Sequence, residues 1–203
     1  MLLTLNRYSG ISWSRASRPD LIKPIDSYAG RSYHRAGDKK KVPTTIAYDD
    51  EGEPASWGYM TSLAQEPVKW FKLLLIDDKD VPDHIRHSPE LATVKSRMKK
   101  LNKKPIEVVA DYLRNLWGHS SNQIENEMGD TWMEQCTIRL VVTLPAIWPI
   151  YAQVRMRDAV KTAGILDGRD NRSTLTFISE PESAALALMG DIMDRVDIKV
   201  CLC

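Results

Sequence analysis

Cysteine and long apolar runs are both scarce in this chain of 203 residues, and each shortage excludes a class of protein. The three cysteines, Cys136, Cys201 and Cys203, are too few and odd in number for a disulfide framework, which favours a reducing compartment. No run reaches the roughly 18 apolar residues that a transmembrane helix needs. The apolar start at residues 1–5 is too short for a secretory signal. We therefore expect a cytoplasmic protein without a membrane partner.

The chain also has no strong net charge of either sign. The net charge is +1, so no whole-protein field would steer nucleic acid towards the chain. Basic runs at 39–41 and 99–104 contain no interleaved aromatic residues, so we interpret them as solvated faces and expect no nucleic-acid partner. His84 and His87 lack a third ligand nearby in sequence, and the terminal cysteines lack a complementary cluster. The sequence thus predicts no metal-binding cluster.

The pattern of apolar residues predicts strands first and helices later. Strands are predicted at 8–14, 21–27 and 42–48. Helical patterning follows at about 57–76 with a break at Pro67, then after Ser88 and again after Pro105.

An exposed polar connection is predicted at 119–134. The remaining predicted elements alternate in type: strand 137–143, helix 149–163, strand 175–179, helix 181–193 and a strand-like run at 196–202. A parallel pair of strands with crossover helices follows from the length and handedness of these connections, so the predicted class is α/β.

The ends of two predicted strands carry the candidate site residues. Pro145 fixes the angle at which the first strand leaves the sheet, and Pro181 suits the first turn of a helix. Glu180 then lies beside the positive end of that helix, where it could orient a water molecule or simply cap the helix. Lys72, among apolar neighbours, could neutralise a phosphoryl group or extend to solvent. The residues alone leave both alternatives open.

Several motifs together resemble the N-terminal lobe of the actin-like ATPase domain in the heat shock 70 kDa chaperone family, most nearly its divergent members. Residues 141–146 (VVTLPA) resemble the family's strand ending in VPA, and 178–185 (ISEPESAA) are similar to INEPTAAA. Residues 159–165 (AVKTAGI) resemble the helix between them. Residues 41–44 and 8–10 resemble the family's TPS and YSG segments. The resemblance covers nearly the whole chain.

The resemblance implies a fold, ligands and residue roles. The fold would be an incomplete ribonuclease H-like lobe over residues 1–203, with a mixed sheet, flanking helices and a helical subdomain at about 53–130. ATP and Mg²⁺ would be the family's ligands, and a client polypeptide a possible partner. Lys72 would contact the transferring phosphate and Glu180 would orient the attacking water. Pro145 would switch between nucleotide states, with Pro181 beside Glu180 and Arg155 near the region that communicates with a peptide-binding domain.

The sequence departs from the family at the phosphate loops. Residues 3–7 (LTLNR) stand where the family has Asp-x-Gly-Thr-Thr, so the aspartate and glycine are missing. The second glycine-rich loop would follow the last strand, where this sequence ends, so we expect a lobe truncated at both ends. Losing three charge-assisted hydrogen bonds weakens binding by about 5–9 kcal/mol. We expect ATP and Mg²⁺ binding to be weak or absent, and little or no ATP hydrolysis.

Two structural expectations and two other functions complete the sequence-based account. Residues 1–6 would form only a short strand at the centre of the sheet. Apolar residues at 197–202 would have no protein packed over them, so we expect marginal stability or dependence on a partner. The chain could instead be a nucleotide-independent protein-interaction module. An unrelated small enzyme that uses Glu180 would need a nucleophile or metal set that the sequence does not offer.

Overall fold

A mixed sheet of six strands forms the centre of the chain. The computed structural model describes residues 1–5, 7–30, 40–62, 66–132, 136–166 and 173–195. The strands of the central sheet are β1 (Leu2–Leu5), β2 (Tyr8–Arg15), β3 (Arg18–Pro24), β4 (Val42–Pro43), β7 (Arg139–Leu144) and β8 (Thr174–Ser179). The separate hairpin consists of β5 (Ile46–Tyr48) and β6 (Pro54–Trp57).

The strand order is β3-β2-β1-β7-β8, with β4 also pairing with β2. β1 is antiparallel to β2 and parallel to β7, so it occupies the centre of the sheet although it has only four residues. Leu3 in this strand is buried. β7 and β8 form the expected parallel pair. The predicted α/β class, with a mixed sheet and flanking helices, is confirmed.

Five α-helices are described, and three short 3₁₀ turns accompany them. The helices are α1 (Asp83–Arg86), α2 (Pro89–Leu101), α3 (Pro105–Met128), α4 (Ile150–Thr162) and α5 (Glu180–Arg195). The 3₁₀ turns are Gly58–Met60, Phe71–Leu75 and Asp78–Asp80. The N-cap predicted for α2 is confirmed, because the Ser88 hydroxyl accepts a hydrogen bond from Leu91 N at 3.2 Å.

α3 is longer than the sequence predicts. The prediction of an exposed connection at 119–134 is wrong, since the helix continues to Met128 and buries Ser120, Ser121 and Ile124. The Ser120 hydroxyl donates to Leu116 O at 2.7 Å, which satisfies a polar group on the buried face. A run of polar residues therefore remains helical because its own side chains find partners within the protein.

The prediction of a helix at about 57–76 is also wrong. Within the described part of that segment, β6 ends at Trp57 and Val68 pairs with Ile46 of β5 through two backbone hydrogen bonds. A 3₁₀ turn at Phe71–Leu75 follows. The apolar residues here alternate between the hairpin and the helices rather than lining one helical face. Long-range pairing has overridden the local helical pattern.

The hydrophobic core lies between the sheet and helices α3 and α4, which pack against each other. Tyr112 and Leu116 of α3 and Met156 of α4 are completely buried. Within the described ranges, no helix combines the length and the apolar composition that crossing a membrane requires. The strand-like run predicted at 196–202, with Cys201 and Cys203, lies outside the described residues.

Candidate phosphate-facing cleft

The carboxyl ends of β7 and β8 lie side by side. Leu144 is the register partner of Ser179, so Pro145 and Glu180 both follow directly from paired positions. After Pro145 the chain turns towards α4, and Trp148 N donates to Pro145 O at 3.1 Å. The two strand ends that the sequence predicts as a site are therefore on one edge of the sheet.

The end of β8 presents Glu180 at a helix N-terminus. Glu180 is the first residue of α5 and Pro181 lies in its first turn. The Ser179 hydroxyl accepts a hydrogen bond from Glu182 N at 3.2 Å and so caps the helix. Since Ser179 does the capping, the Glu180 carboxylate is available for another partner.

That partner is Lys72. The Lys72 Nζ lies 3.1 Å from Glu180 Oε1, although the two residues are 108 positions apart. The Lys72 side chain is 11% exposed and that of Glu180 is 28% exposed, so the ammonium does not extend to solvent. Burial lowers the pKa of the Lys72 ammonium from its usual value, and the Glu180 carboxylate opposes that shift. The structure thus brings together two residues to which the sequence assigned one site.

An open cleft of about 490 Å³ is lined by Lys72, and Glu180 contacts this cleft only through its ion pair with Lys72. Three basic residues line it, Arg7, Lys69 and Lys72, and one acidic residue, Glu90. The other lining residues are apolar, aromatic or hydroxyl-bearing: Tyr8, Pro43, Thr44, Thr45, Trp70, Phe71, Leu73, Pro145 and Trp148. The excess of basic groups over the single lining carboxylate favours an anionic ligand.

Two tryptophans in the cleft were not predicted as site residues. The Lys72 Nζ lies 5.2 Å from the ring centroid of Trp148, and the Arg7 guanidinium lies 5.6 Å from that of Trp70. Both distances allow cation–π attraction. Trp148 could have been found from the sequence, because it lies in the same turn as Pro145. Trp70 and Arg7 carry no comparable sequence signal.

The two threonine hydroxyl groups in the cleft already have protein partners. The Thr44 hydroxyl is 2.7 Å from the Ser9 hydroxyl, and the Thr45 hydroxyl donates to Gly58 O at 3.1 Å. These bonds hold β4 and the following residues against β2 and the hairpin. A ligand in the cleft would compete with them for the threonine hydroxyls.

Arg155 does not line the cleft. Its guanidinium donates to Leu75 O at 2.9 Å and to Asp77 Oδ1 at 2.8 Å, and lies 4.7 Å from the Tyr151 ring centroid. Arg155 therefore ties α4 to the end of the 3₁₀ turn that carries Lys72. Its predicted role in communication stays a prediction.

Comparison with known proteins places this geometry in a family. Heat shock 70 kDa protein 12B of Homo sapiens is 30% identical to the chain over 192 residues, which cover 88% of this chain and 26% of that protein. Over most of its length the chain is similar to divergent members of the heat shock 70 kDa protein family. Heat shock 70 kDa protein 12A of Mus musculus is 25% identical over 185 residues, with the same coverage of both sequences. No protein-family model matches the chain.

The chain spans 26% of the length of the curated relatives that it matches. The mixed sheet with flanking helices agrees with a partial actin-like ATPase lobe, as the sequence motifs predict. The roles that the family resemblance gives to Lys72, Glu180, Pro145, Pro181 and Arg155 remain predictions, as does the division into a lobe and a helical subdomain.

The cleft residues fit phosphate better than they fit magnesium. Magnesium needs oxygen ligands, usually carboxylates, and a triphosphate needs closely spaced backbone N–H groups. Glu90 is the one carboxylate among the described lining residues, and Glu180 is already paired with Lys72. Residues 1–7 contain neither aspartate nor glycine. No group of three or more histidine, cysteine or acidic side chains suited to a metal occurs among the described residues. The donor set does not fit a magnesium ion.

Proposed function

We propose that the chain forms the phosphate-facing wall of an ATP site in a heat-shock-70-type chaperone. Lys72 supplies the positive charge for the terminal phosphate, Pro145 lines the cleft beside it, and Glu180 pairs with Lys72. Glu180, as the carboxylate nearest to Lys72, occupies the position from which a water molecule would be oriented. Assistance to a client polypeptide would belong to the whole protein of which this lobe is a part.

The observation that supports the proposal most directly is the Lys72–Glu180 contact at 3.1 Å. The two residues come from different elements, a 3₁₀ turn and the start of α5. The family resemblance assigns both to one catalytic site, although they are 108 positions apart in the chain. Convergence at one cleft, beside Pro145, is what a shared catalytic role requires.

We further propose that this chain alone binds ATP weakly and hydrolyses it weakly or not at all. Residues 1–7 lack the aspartate and the glycines that would hold the metal and approach the phosphates. The carboxylate of Glu180 is already paired with Lys72 through Oε1. The cleft therefore has attraction for phosphate without the groups that hold a magnesium triphosphate in a reactive geometry.

Calorimetric titration with Mg-ATP, combined with a phosphate-release assay, tests this proposal. Wild-type protein should give a weak but saturable heat that Lys72→Met abolishes, because methionine keeps the shape and removes the charge. Phosphate release should be no faster in the wild type than in Lys72→Met. Turnover that Glu180→Ala abolishes would contradict the claim of inactivity. A titration without any saturable heat, or binding unaffected by Lys72→Met, would contradict the proposed site.

A nucleotide-independent interaction module is the second candidate, and one observation favours it. Ile147 lies in the turn before α4, and Ile150 and Val154 lie at its beginning, with exposures of 72%, 80% and 50%. Such a row of exposed apolar residues is typical of a protein-binding surface. Thermal melting separates the two candidates, because Mg-ATP should raise the melting temperature of a nucleotide-binding lobe and leave that of the module unchanged.

A further inference from the structure

The Lys72 ammonium is held between an aromatic ring and a carboxylate. Its Nζ lies 5.2 Å from the ring centroid of Trp148 and 3.1 Å from Glu180 Oε1. Trp148 is 6% exposed, whereas the Glu180 side chain is 28% exposed, so the carboxylate is the partner with more room to move. The charge most suited to bind phosphate thus has a protein anion as its partner.

A bound phosphate and the Glu180 carboxylate would compete for the Lys72 ammonium. Both are anionic acceptors, and Lys72 is largely buried, so an incoming phosphate meets the Glu180 carboxylate at close range. Two anions at such a distance repel each other, which adds to the cost of phosphate binding. The Trp148 ring does not repel an incoming phosphate in this way, because the indole has no net charge, while its face still attracts the Lys72 ammonium.

We propose that Glu180 acts as an internal competitor that closes the cleft to phosphate, and that Trp148 is a positioning residue that keeps Lys72 facing the cleft when the carboxylate is displaced. The inference rests on the proposed function, because it assumes that the cleft receives a phosphate group. It adds that the affinity of the wild-type chain for phosphate is limited by its own ion pair. The ligand chemistry concerned is a phosphate group without metal.

Pyrophosphate in metal-free buffer is the probe, and calorimetry gives its dissociation constant. Glu180→Gln should bind pyrophosphate roughly tenfold more tightly than the wild type, since the amide keeps the shape and removes the competing charge. Lys72→Met should abolish binding in either background. A catalytic role for Glu180 alone would instead leave the affinity for pyrophosphate unchanged. Glu180→Ala gives the same comparison if the glutamine variant does not fold.

Trp148 is tested in the Glu180→Gln background. Trp148→Phe should retain part of the gain in affinity because it keeps an aromatic face, whereas Trp148→Leu should lose it. Both variants should first show the circular dichroism spectrum of the parent. If the role of Trp148 is purely structural, Trp148→Phe and Trp148→Leu should then have the same affinity for pyrophosphate.

A matched control is available in the same chain. Glu66 pairs with Arg97 at 3.0 Å and does not line the cleft, so Glu66→Gln removes an ion pair of similar length at a more exposed position and should leave pyrophosphate affinity unchanged. Equal or weaker binding by Glu180→Gln than by the wild type would overturn the competitor proposal while leaving the proposed function in place. Absence of pyrophosphate binding in every variant would overturn both.

Discussion

Leu144 and Ser179 are direct register partners in the parallel pair formed by β7 and β8. Because the two strands end at the same level, Pro145 and Glu180 leave the sheet on one edge. Lys72 reaches this edge from a 3₁₀ turn and pairs with Glu180 at 3.1 Å. The cleft therefore depends on the register of one strand pair and on one ion pair across it.

The Lys72–Glu180 pair should be energetically coupled. Glu180→Gln leaves a largely buried ammonium without its carboxylate partner, so we expect a loss of about 1–3 kcal/mol in the free energy of unfolding. Adding Lys72→Met should recover part of that loss, since the uncompensated charge is then gone. A double-mutant cycle from urea denaturation measures this. Strictly additive effects would show that the two side chains do not interact in solution.

Gly58 should tolerate alanine less well than Gly52. Both have a positive φ, +60° and +82°, so alanine is strained at either position. A Cβ at Gly58 would also overlap Val42 Cγ2, whereas a Cβ at Gly52 has no atom within 4 Å. Gly58→Ala should therefore cost about 1–3 kcal/mol more than Gly52→Ala in chemical denaturation. Equal costs would show that the hairpin does not pack against β4 as described.

Leu116 should be among the most costly core residues to truncate. It is completely buried in α3, so Leu116→Ala should lower the free energy of unfolding by about 2–5 kcal/mol. Leu188 of α5 provides the matched control, because it is a helical leucine that is 61% exposed. Leu188→Ala should change stability by less than about 0.5 kcal/mol. Similar losses for both variants would place α5 in the core instead.

Three buried tyrosines should make the fold sensitive to alkali. Burial raises the pKa of Tyr28, Tyr48 and Tyr112, and the neighbouring Asp111 adds to the effect at Tyr48. In the unfolded chain these phenols ionise near about pH 10. Above that pH the folded state therefore binds more protons than the unfolded state, so stability falls as the pH rises.

Urea denaturation at neutral pH and at values above about pH 10 measures this loss. Lys72 acts in the opposite direction because burial lowers its pKa, but it is one group against three. Tyr112→Phe should reduce the alkaline loss, whereas Tyr8→Phe, at a residue that is 46% exposed, should not. An alkaline loss that is the same in the wild type and in Tyr112→Phe would contradict the assignment.

The sequence predicts the parallel half of the fold well and the region before it poorly. The strands that end at Leu144 and Ser179 were predicted because short apolar runs are bounded by proline and by helical patterns. The end of α3 was missed because Ser120 and Gln123 look like loop residues. Their polar groups are satisfied through Leu116 O, Asp26 and His119, and no local pattern reveals those partners.

The candidate site could be predicted only in part. Pro145 and Glu180 were identified in segments that resemble family motifs, and Lys72 as the lysine that the resemblance implies; the structure brings all three to one edge. The direct pairing of Lys72 with Glu180 could not be predicted, since it depends on a 3₁₀ turn where the sequence indicates an α-helix. Trp148 beside Lys72 follows from the same tertiary arrangement. The sequence therefore predicted which residue types belong to the site, but it did not predict the contacts between distant elements.

The central claim is that the cleft in front of Lys72 and Glu180 receives the phosphates of a nucleotide. Hydrogen–deuterium exchange with and without millimolar Mg-ATP tests it most directly, because the method maps weak binding along the chain. The account predicts slower exchange at 44–45, 69–73 and 146–148, and in the first turn of α5. Slower exchange confined to other parts of the chain, or no change anywhere, would contradict it.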